Sequence, residues 1–227
     1  MNSDLILRLI IQLPPLMLAI SVHEMAHGYV AFRRGDYTAK LLGRVTLNPI
    51  KHIDPVGTVL VPLMLAFSGT GVLFGWAKPV PVNRFNFKSP RKDNVLVSLA
   101  GPASNFILAA ILALIFRILI WVPGLDTMMS SVVLEPLAIM IVFGIKISVI
   151  LGVFNLIPVY PLDGSHIVEG LLPAHQAQIY SRHERYGFII LIALMITGIL
   201  WTIISPVYVT TLFMITKLFG IAPYFGF

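Results

Sequence analysis

Two histidines and a glutamate within five residues carry the clearest chemistry in this sequence. They occur in a His-Glu-Met-Ala-His string at positions 23–27, inside an apolar stretch. Residues four apart share one face of a helix, so His23 and His27 can bind one zinc ion while Glu24 lies beside it to activate a water. A catalytic zinc needs three protein ligands and an open position, and Asp163, at the end of another apolar stretch, would complete that count.

Each of these residues could also have a purely structural role. The histidines could be a pair on a helix surface. However, an ionisable side chain within a membrane helix costs about 2.5–3.5 kcal/mol, so three within five positions demand a use. Asp163 precedes Gly164 and an amphipathic run, which is typical of a residue that caps a helix N-terminus. A residue in the first turn of a helix can both cap the helix and bind a metal, so both interpretations of Asp163 stay open.

The composition places the chain in a membrane. Hydrophobic residues make up 57% and charged residues 11%, and the mean hydropathy is +0.89, so too few polar residues are present to cover a soluble globule. The net charge of +6 lies in short segments between apolar runs, as in cytoplasmic loops of membrane proteins, so we expect no nucleic-acid partner. Cysteine is absent, which excludes disulfides, thiolate ligands and a cysteine nucleophile.

Apolar runs must supply the elements that position the site. Pro14 and Pro15 should kink or restart the first of them. The last is only marginally long enough to cross a bilayer. The predicted helices cover residues of about 5–32, 94–122, 132–156, 186–204 and 207–219.

The predicted fold class is an α-helical integral membrane protein with a bundle of about five to six transmembrane helices. Residues 39–47 alternate between apolar and polar, which favours a short hairpin at the membrane surface. We expect one peptidase domain over 1–227, with the metal-site core at about 5–170 and C-terminal helices at about 186–221.

The apolar run at 55–76 decides whether the ligands can meet. If it crossed fully, the helices that carry His27 and Asp163 would deliver their C-terminal ends to opposite faces, so we predict a re-entrant segment in which Gly69 and Gly71 could act as hinges. Ten basic residues then share one face, which the positive-inside rule makes cytoplasmic. We expect the plasma membrane, with the active site towards the cytoplasm. The ten are Arg33, Arg34, Lys40, Arg44, Lys51, Lys78, Arg84, Lys88, Arg91 and Lys92.

Three motifs follow one another along the chain: the string at 23–27, the Gly-Pro-Ala-Ser-Asn string at 101–105, and Asn155-x-x-Pro158 leading to Asp163-Gly164. Over about residues 15–170 they resemble the motifs of the site-2 proteases, a family of zinc intramembrane peptidases. No inserted peptide-binding domain is recognisable.

The resemblance implies one zinc ion per chain, held by His23, His27 and Asp163, with Glu24 as general base. The implied substrate is a transmembrane protein segment, cut within or near the bilayer. Asn155 matches a family asparagine near the scissile bond, where it could bind substrate; it could equally satisfy backbone groups where prolines break the helix.

Other interpretations stay open. Gly101, Pro102 and Asn105 are expected to serve close helix packing. The family often has a second glycine and an arginine after the aspartate, where this chain has Ser165 and His166, and a surface-helix role is expected for His166 rather than metal binding. The rival function is a membrane metal transporter, or a zinc-binding membrane protein without peptidase activity.

Overall fold

The computed structural model describes residues 3–60, 64, 76–121 and 134–227, which form eight α-helices and no strand. Shorter helical turns lie at Pro49–His52, Pro55–Leu60, Arg84–Asn86 and Ala222–Phe225. The α-helices are α1 (Ser3–Arg33), α2 (Thr38–Leu41), α3 (Pro90–Trp121), α4 (Leu134–Asn155), α5 (Asp163–Leu171), α6 (Ala174–Ser181), α7 (Glu184–Ile196) and α8 (Ile199–Leu218).

The helices that surround the predicted site pack closely. α1 is one continuous helix through Pro14 and Pro15, so the predicted restart is wrong. α3 packs most extensively against α4, α1 and α5, and α1 also packs along α4. These contacts compensate for the two backbone hydrogen bonds that the prolines cannot make. The first ligand pair therefore stands on a long helix held on two sides.

The hairpin predicted at 39–47 is wrong. The buried Asp36 carboxylate accepts hydrogen bonds from the backbone N–H and the hydroxyl of Thr38, at 3.1 and 2.5 Å, where the single turn of α2 begins. The chain then reverses at Gly43, whose φ is +65°. Local side-chain bonds of this kind compete with strand formation, and alternation alone does not reveal them.

Three of the described helices are long and apolar enough to cross a membrane: α3, α4 and α8, with hydropathies of 2.3, 2.6 and 1.7. α1, with 31 residues, also exceeds the roughly 20 residues that a crossing needs, whereas α7 has 13. The predicted five to six crossings are thus more than length and composition support in the described part of the chain.

Most of the run predicted to be re-entrant, with Gly69 and Gly71, lies outside the described residues. Its two ends are described and hydrogen-bond to each other. The Trp76 N–H donates to the Gly57 carbonyl at 3.1 Å, and the Thr58 hydroxyl donates to the Trp76 carbonyl at 2.8 Å.

The C-terminal helices have different bounds from those predicted. α7 ends before Gly198, which has a φ of +73° that residues with a Cβ rarely adopt, and α8 then continues through Pro206. α8 packs against α4, α7 and α3, and the main apolar core draws on all four helices. The ligand-bearing part of the bundle lies beside this core.

Candidate metal centre and general base

α1 brings the two histidines of the predicted site together. The Nε2 atoms of His23 and His27 lie 3.0 Å apart, and the two residues are only 8% and 9% exposed. One helical turn separates them, as the spacing of four predicts.

Asp163 reaches the same point from a distant part of the sequence. It is the first residue of α5, and its Oδ2 and Oδ1 lie 3.1 and 3.3 Å from the Nε2 atoms of His23 and His27. The next residue, Gly164, packs so tightly on the end of α4 that a Cβ there would lie 2.2 Å from the Leu156 carbonyl oxygen. Glycine is therefore needed for α5 to bring Asp163 this close.

The three side chains fit a zinc ion. Their ligand atoms all lie within 4.8 Å of one another, and a tetrahedral ion with bonds of about 2.0–2.1 Å would separate neighbouring ligand atoms by about 3.3–3.4 Å. Gly101 of α3 leaves room beside these ligand atoms, because it has no side chain. A Cβ at this position would lie 2.4 Å from His27 Nε2 and 2.6 Å from His23 Nε2. Imidazole and carboxylate are both common zinc ligands, and thiolate is excluded because the chain has no cysteine.

α3 also supports the outer nitrogen of each histidine. His27 Nδ1 lies 2.7 Å from the Val97 carbonyl oxygen, so it donates a hydrogen bond there and leaves Nε2 with a lone pair for a metal. His23 Nδ1 faces the fully buried Asn105 amide, with Nδ2 at 3.2 Å, while Asn105 Oδ1 has no hydrogen-bond partner among the residues that the structure describes. Turning this amide by 180° would let Oδ1 accept from His23 Nδ1 and would give His23 the same tautomer as His27.

Two residues expected only to pack helices thus contact the ligand pair. Gly101 lies against both imidazoles, and Asn105 contacts His23. The sequence signal was the burial of an amide in an apolar helix, since a buried polar side chain needs a partner.

Glu24 stands beside the three ligands and is not part of the metal-binding group. Its Oε2 accepts a hydrogen bond of 2.7 Å from the backbone N–H of Val80. In the described part of the chain no group donates to Oε1. The sequence contains no signal for this contact, because every residue except proline carries a backbone N–H.

The other candidate residues are not part of the metal-binding group. Asn155 donates through Nδ2 to the Leu151 carbonyl at 3.0 Å, so it satisfies the last turn of α4. His166 is half-buried on α5 and lies outside the metal-binding group. His52 is fully buried, with Nε2 2.8 Å from the Thr46 carbonyl oxygen.

A polar cluster that the sequence analysis missed joins the 78–86 segment to α5. Arg84 Nη2 donates to His166 Nδ1 at 2.8 Å, and Nη1 lies 3.3 Å from a Glu169 carboxylate oxygen that also accepts from the Tyr160 hydroxyl. Burial and the adjacent guanidinium lower the pKa of His166, and burial and the Glu169 carboxylate raise the pKa of Tyr160. Because arginine only donates, the Arg84 contact favours the neutral form of His166 with its proton on Nε2.

Comparison with known proteins agrees with this geometry. The model of "Peptidase family M50" matches residues 13–138 and 120–198. The Bacillus subtilis protein named "Putative zinc metalloprotease YwhC" is 42% identical over 194 residues, which cover 84% of this chain and 84% of the relative.

Two mycobacterial relatives carry the same description under the name Rip2. The protein of Mycolicibacterium smegmatis is 30% identical and that of Mycobacterium tuberculosis H37Rv is 27% identical; the matches cover 80% and 78% of this chain but 64% and 63% of the relatives. No solved structure matches the chain. The chain belongs to peptidase family M50, the site-2 protease family, and is an integral membrane zinc metalloendopeptidase.

Proposed function

We propose that this protein is an intramembrane endopeptidase that hydrolyses peptide bonds in the transmembrane segments of other membrane proteins, as in regulated intramembrane proteolysis. The observation that carries the proposal is the convergence of His23, His27 and Asp163 with Glu24 beside them, among helices able to cross a membrane. The proposed catalytic unit is a single domain over 1–227 that holds one zinc ion per chain.

Glu24 is the general base of the proposed reaction. When bound, zinc lowers the pKa of a coordinated water to about 7 and polarises a carbonyl oxygen. Glu24 Oε1 takes a proton from the attacking water, the water oxygen bonds to the carbonyl carbon, and the C–N bond breaks as Glu24 returns the proton to the departing amine nitrogen. The products are a carboxylic acid and an amine, and transfer of the acid's proton to the amine gives a carboxylate and an ammonium group at neutral pH.

The substrate must be locally unwound, because amides in an intact helix are shielded and hydrogen-bonded. Asn155 is the proposed substrate contact near the scissile bond. One hydrogen of its amide is donated to the Leu151 carbonyl, and the other could be donated to a substrate carbonyl. Helix-breaking residues in the substrate should therefore favour cleavage.

We also propose that the site faces the cytoplasm of the plasma membrane and that the 55–76 run is re-entrant. The hydrogen bonds between the two ends of that run support a common side for them. Cysteines introduced singly at Lys40 and Lys88, in a chain that has none of its own, should label from the same side of sealed vesicles. Labelling from opposite sides would rule out the re-entrant topology.

A metal transporter is the rival. It would use Glu24 as a ligand and would have a second polar site along a path, whereas in the described residues the only group of three that could hold a metal is His23, His27 and Asp163. In the proposed peptidase, by contrast, Glu24 does not bind the metal and is available for proton transfer.

The purified protein tests the proposal with a model transmembrane substrate and a zinc assay. Glu24→Gln should lose about 10²–10⁴-fold in cleavage rate and keep its zinc, since it deletes the base and no ligand. Asp163→Ala should lose both zinc and activity. Zinc loss in Glu24→Gln would make Glu24 a ligand, and a wild-type protein that binds zinc without cleaving any membrane substrate would refute the peptidase.

A further inference from the structure

The polar groups of a short extended segment, residues 78–83, are tied to the surrounding protein. This segment has the sequence Lys-Pro-Val-Pro-Val-Asn, and we call it the proline segment. At its start the Lys78 N–H donates to the His52 carbonyl at 3.0 Å. At its end the Asn83 N–H donates to Asp36 Oδ2 at 2.7 Å. His52 and Asp36 are both fully buried, so each end is fixed to the interior.

Arg44 also holds the first two residues of the proline segment. Its Nη2 donates to the carbonyl oxygens of Lys78 and Pro79 at 2.6 and 3.2 Å, and the residue is only 8% exposed. A buried guanidinium that binds two successive carbonyls fixes both peptide planes. The segment is thus held as a rigid element against α1.

Val80 lies where the proline segment meets the general base. Its N–H donates to Glu24 Oε2 at 2.7 Å, and its side chain lies against Gly28, one helical turn further along α1. Pro79 and Pro81 have no N–H, so Val80 supplies the one backbone donor between Lys78 and Val82. A residue before proline is also restricted to extended conformations, which limits how far this N–H can turn away.

We propose that the Val80 backbone N–H positions the general base, by holding Oε2 of Glu24 so that Oε1 is presented to the attacking water. Val80 is a positioning residue that acts through Glu24. This inference rests on the proposed peptidase function. It also gives the proline segment a fixed role in catalysis, because any substrate that enters must do so with this segment in place.

Three variants of the full-length protein isolate the N–H. Val80→Pro deletes it, Val80→Ala keeps it and removes two methyl groups, and Val82→Pro deletes an N–H for which the described part of the chain offers no acceptor. With a transmembrane substrate we expect Val80→Pro to lower kcat by about 10- to 100-fold with KM and zinc content unchanged, as a misplaced catalytic group does. Val80→Ala and Val82→Pro should stay within about threefold of wild type.

The structural alternative gives a different pattern. If Val80 only fills space, Val80→Ala will lose as much activity as Val80→Pro, and this result would overturn the proposal, as would an unchanged kcat in Val80→Pro. If Val80→Pro fails to fold, replacement of the residue 80 amide by an ester removes the hydrogen and keeps the valine side chain. Full kcat in the ester variant would equally overturn the proposal.

An infrared measurement tests the contact without turnover. The difference spectrum between each protein and its Glu24→Gln counterpart isolates the Glu24 carboxylate. Its stretching band should shift in Val80→Pro and stay in place in Val82→Pro. An unshifted band in Val80→Pro would show that the N–H does not hold Glu24, whereas a wild-type protein with the expected band and no cleavage would count against the peptidase function alone.

Discussion

The ligand-bearing part of the protein and its C-terminal helices are held together by different forces. Around α1, the first half of α3, and α5, buried polar side chains bond across elements, as Asp36 and Asn105 do. In α7 and α8 the one buried polar side chain among the described residues is Thr216, and its hydroxyl bonds within α8, to the Leu212 carbonyl at 2.9 Å. Polar bonds specify atomic positions, whereas apolar packing specifies mainly volume. The region that needs exact geometry for chemistry is the one built with directional contacts.

Substituting one glycine in each region gives the largest expected contrast. Gly101→Ala places a methyl group 2.4 Å from His27 Nε2, so we expect zinc affinity to fall by more than about 100-fold, beyond the 10–100-fold typical of a lost outer-shell partner. Gly198→Ala meets no atom within 4 Å but must adopt a φ of +73°, which costs about 1–2 kcal/mol of stability. Zinc titration and thermal unfolding of both variants would measure the contrast, and normal zinc affinity in Gly101→Ala would contradict the assigned metal position.

Substitutions at Asn105 test the contribution of a single directional hydrogen bond to zinc affinity, with a substitution in α8 as the comparison. If its Oδ1 accepts from His23 Nδ1, Asn105→Asp keeps the acceptor and should bind zinc at least as tightly as wild type. Asn105→Leu removes the acceptor at similar volume and should lose about 10- to 100-fold in zinc affinity. Thr216→Val, a buried substitution in α8, is the control and should leave affinity unchanged. Zinc loss in Asn105→Asp would mean that the amide donates to His23.

Asp36 gives the smallest effect and one that depends on pH. Burial alone would raise the pKa of Asp36, but hydrogen bonds from Thr38, Asn86 and Asn83 hold it below its ordinary value. A lowered pKa means that the carboxylate stabilises the fold at neutral pH and that this stability is lost as pH falls below about 4 through the folded-state pKa. Asp36→Asn should therefore cost about 1–2 kcal/mol at pH 7.

The difference between wild type and Asp36→Asn should shrink towards pH 3. Thermal unfolding in detergent, with the metal removed so that His23, His27 and Asp163 do not contribute through zinc, would measure it. Equal stability of wild type and Asp36→Asn at pH 7 would show that the hydrogen bonds to Asp36 do not anchor the proline segment (residues 78–83).

The same contrast explains what the sequence could predict. The histidine pair and Glu24 are conspicuous because they are ionisable residues in an apolar run, and the structure brings Asp163 to them. The Val80 contact could not be foreseen, since it uses a backbone group. The end of α7 does have a local signal, since Gly198 follows the helix with a positive φ, as glycines at helix C-termini commonly do. The burial of His52 depends on the position of the Thr46 carbonyl, which no local pattern in the sequence indicates.

The distance along the chain between the ligands has a consequence for biosynthesis. His23 and His27 are made together, but Asp163 follows His27 by 136 residues. At about 5–20 residues per second, the ribosome needs about 7–27 s to add that stretch. Until α5 emerges and docks, the nascent chain offers zinc only two protein ligands. A protease inserted among other newly made membrane proteins therefore acquires a complete hydrolytic site only after most of its own helices are in place.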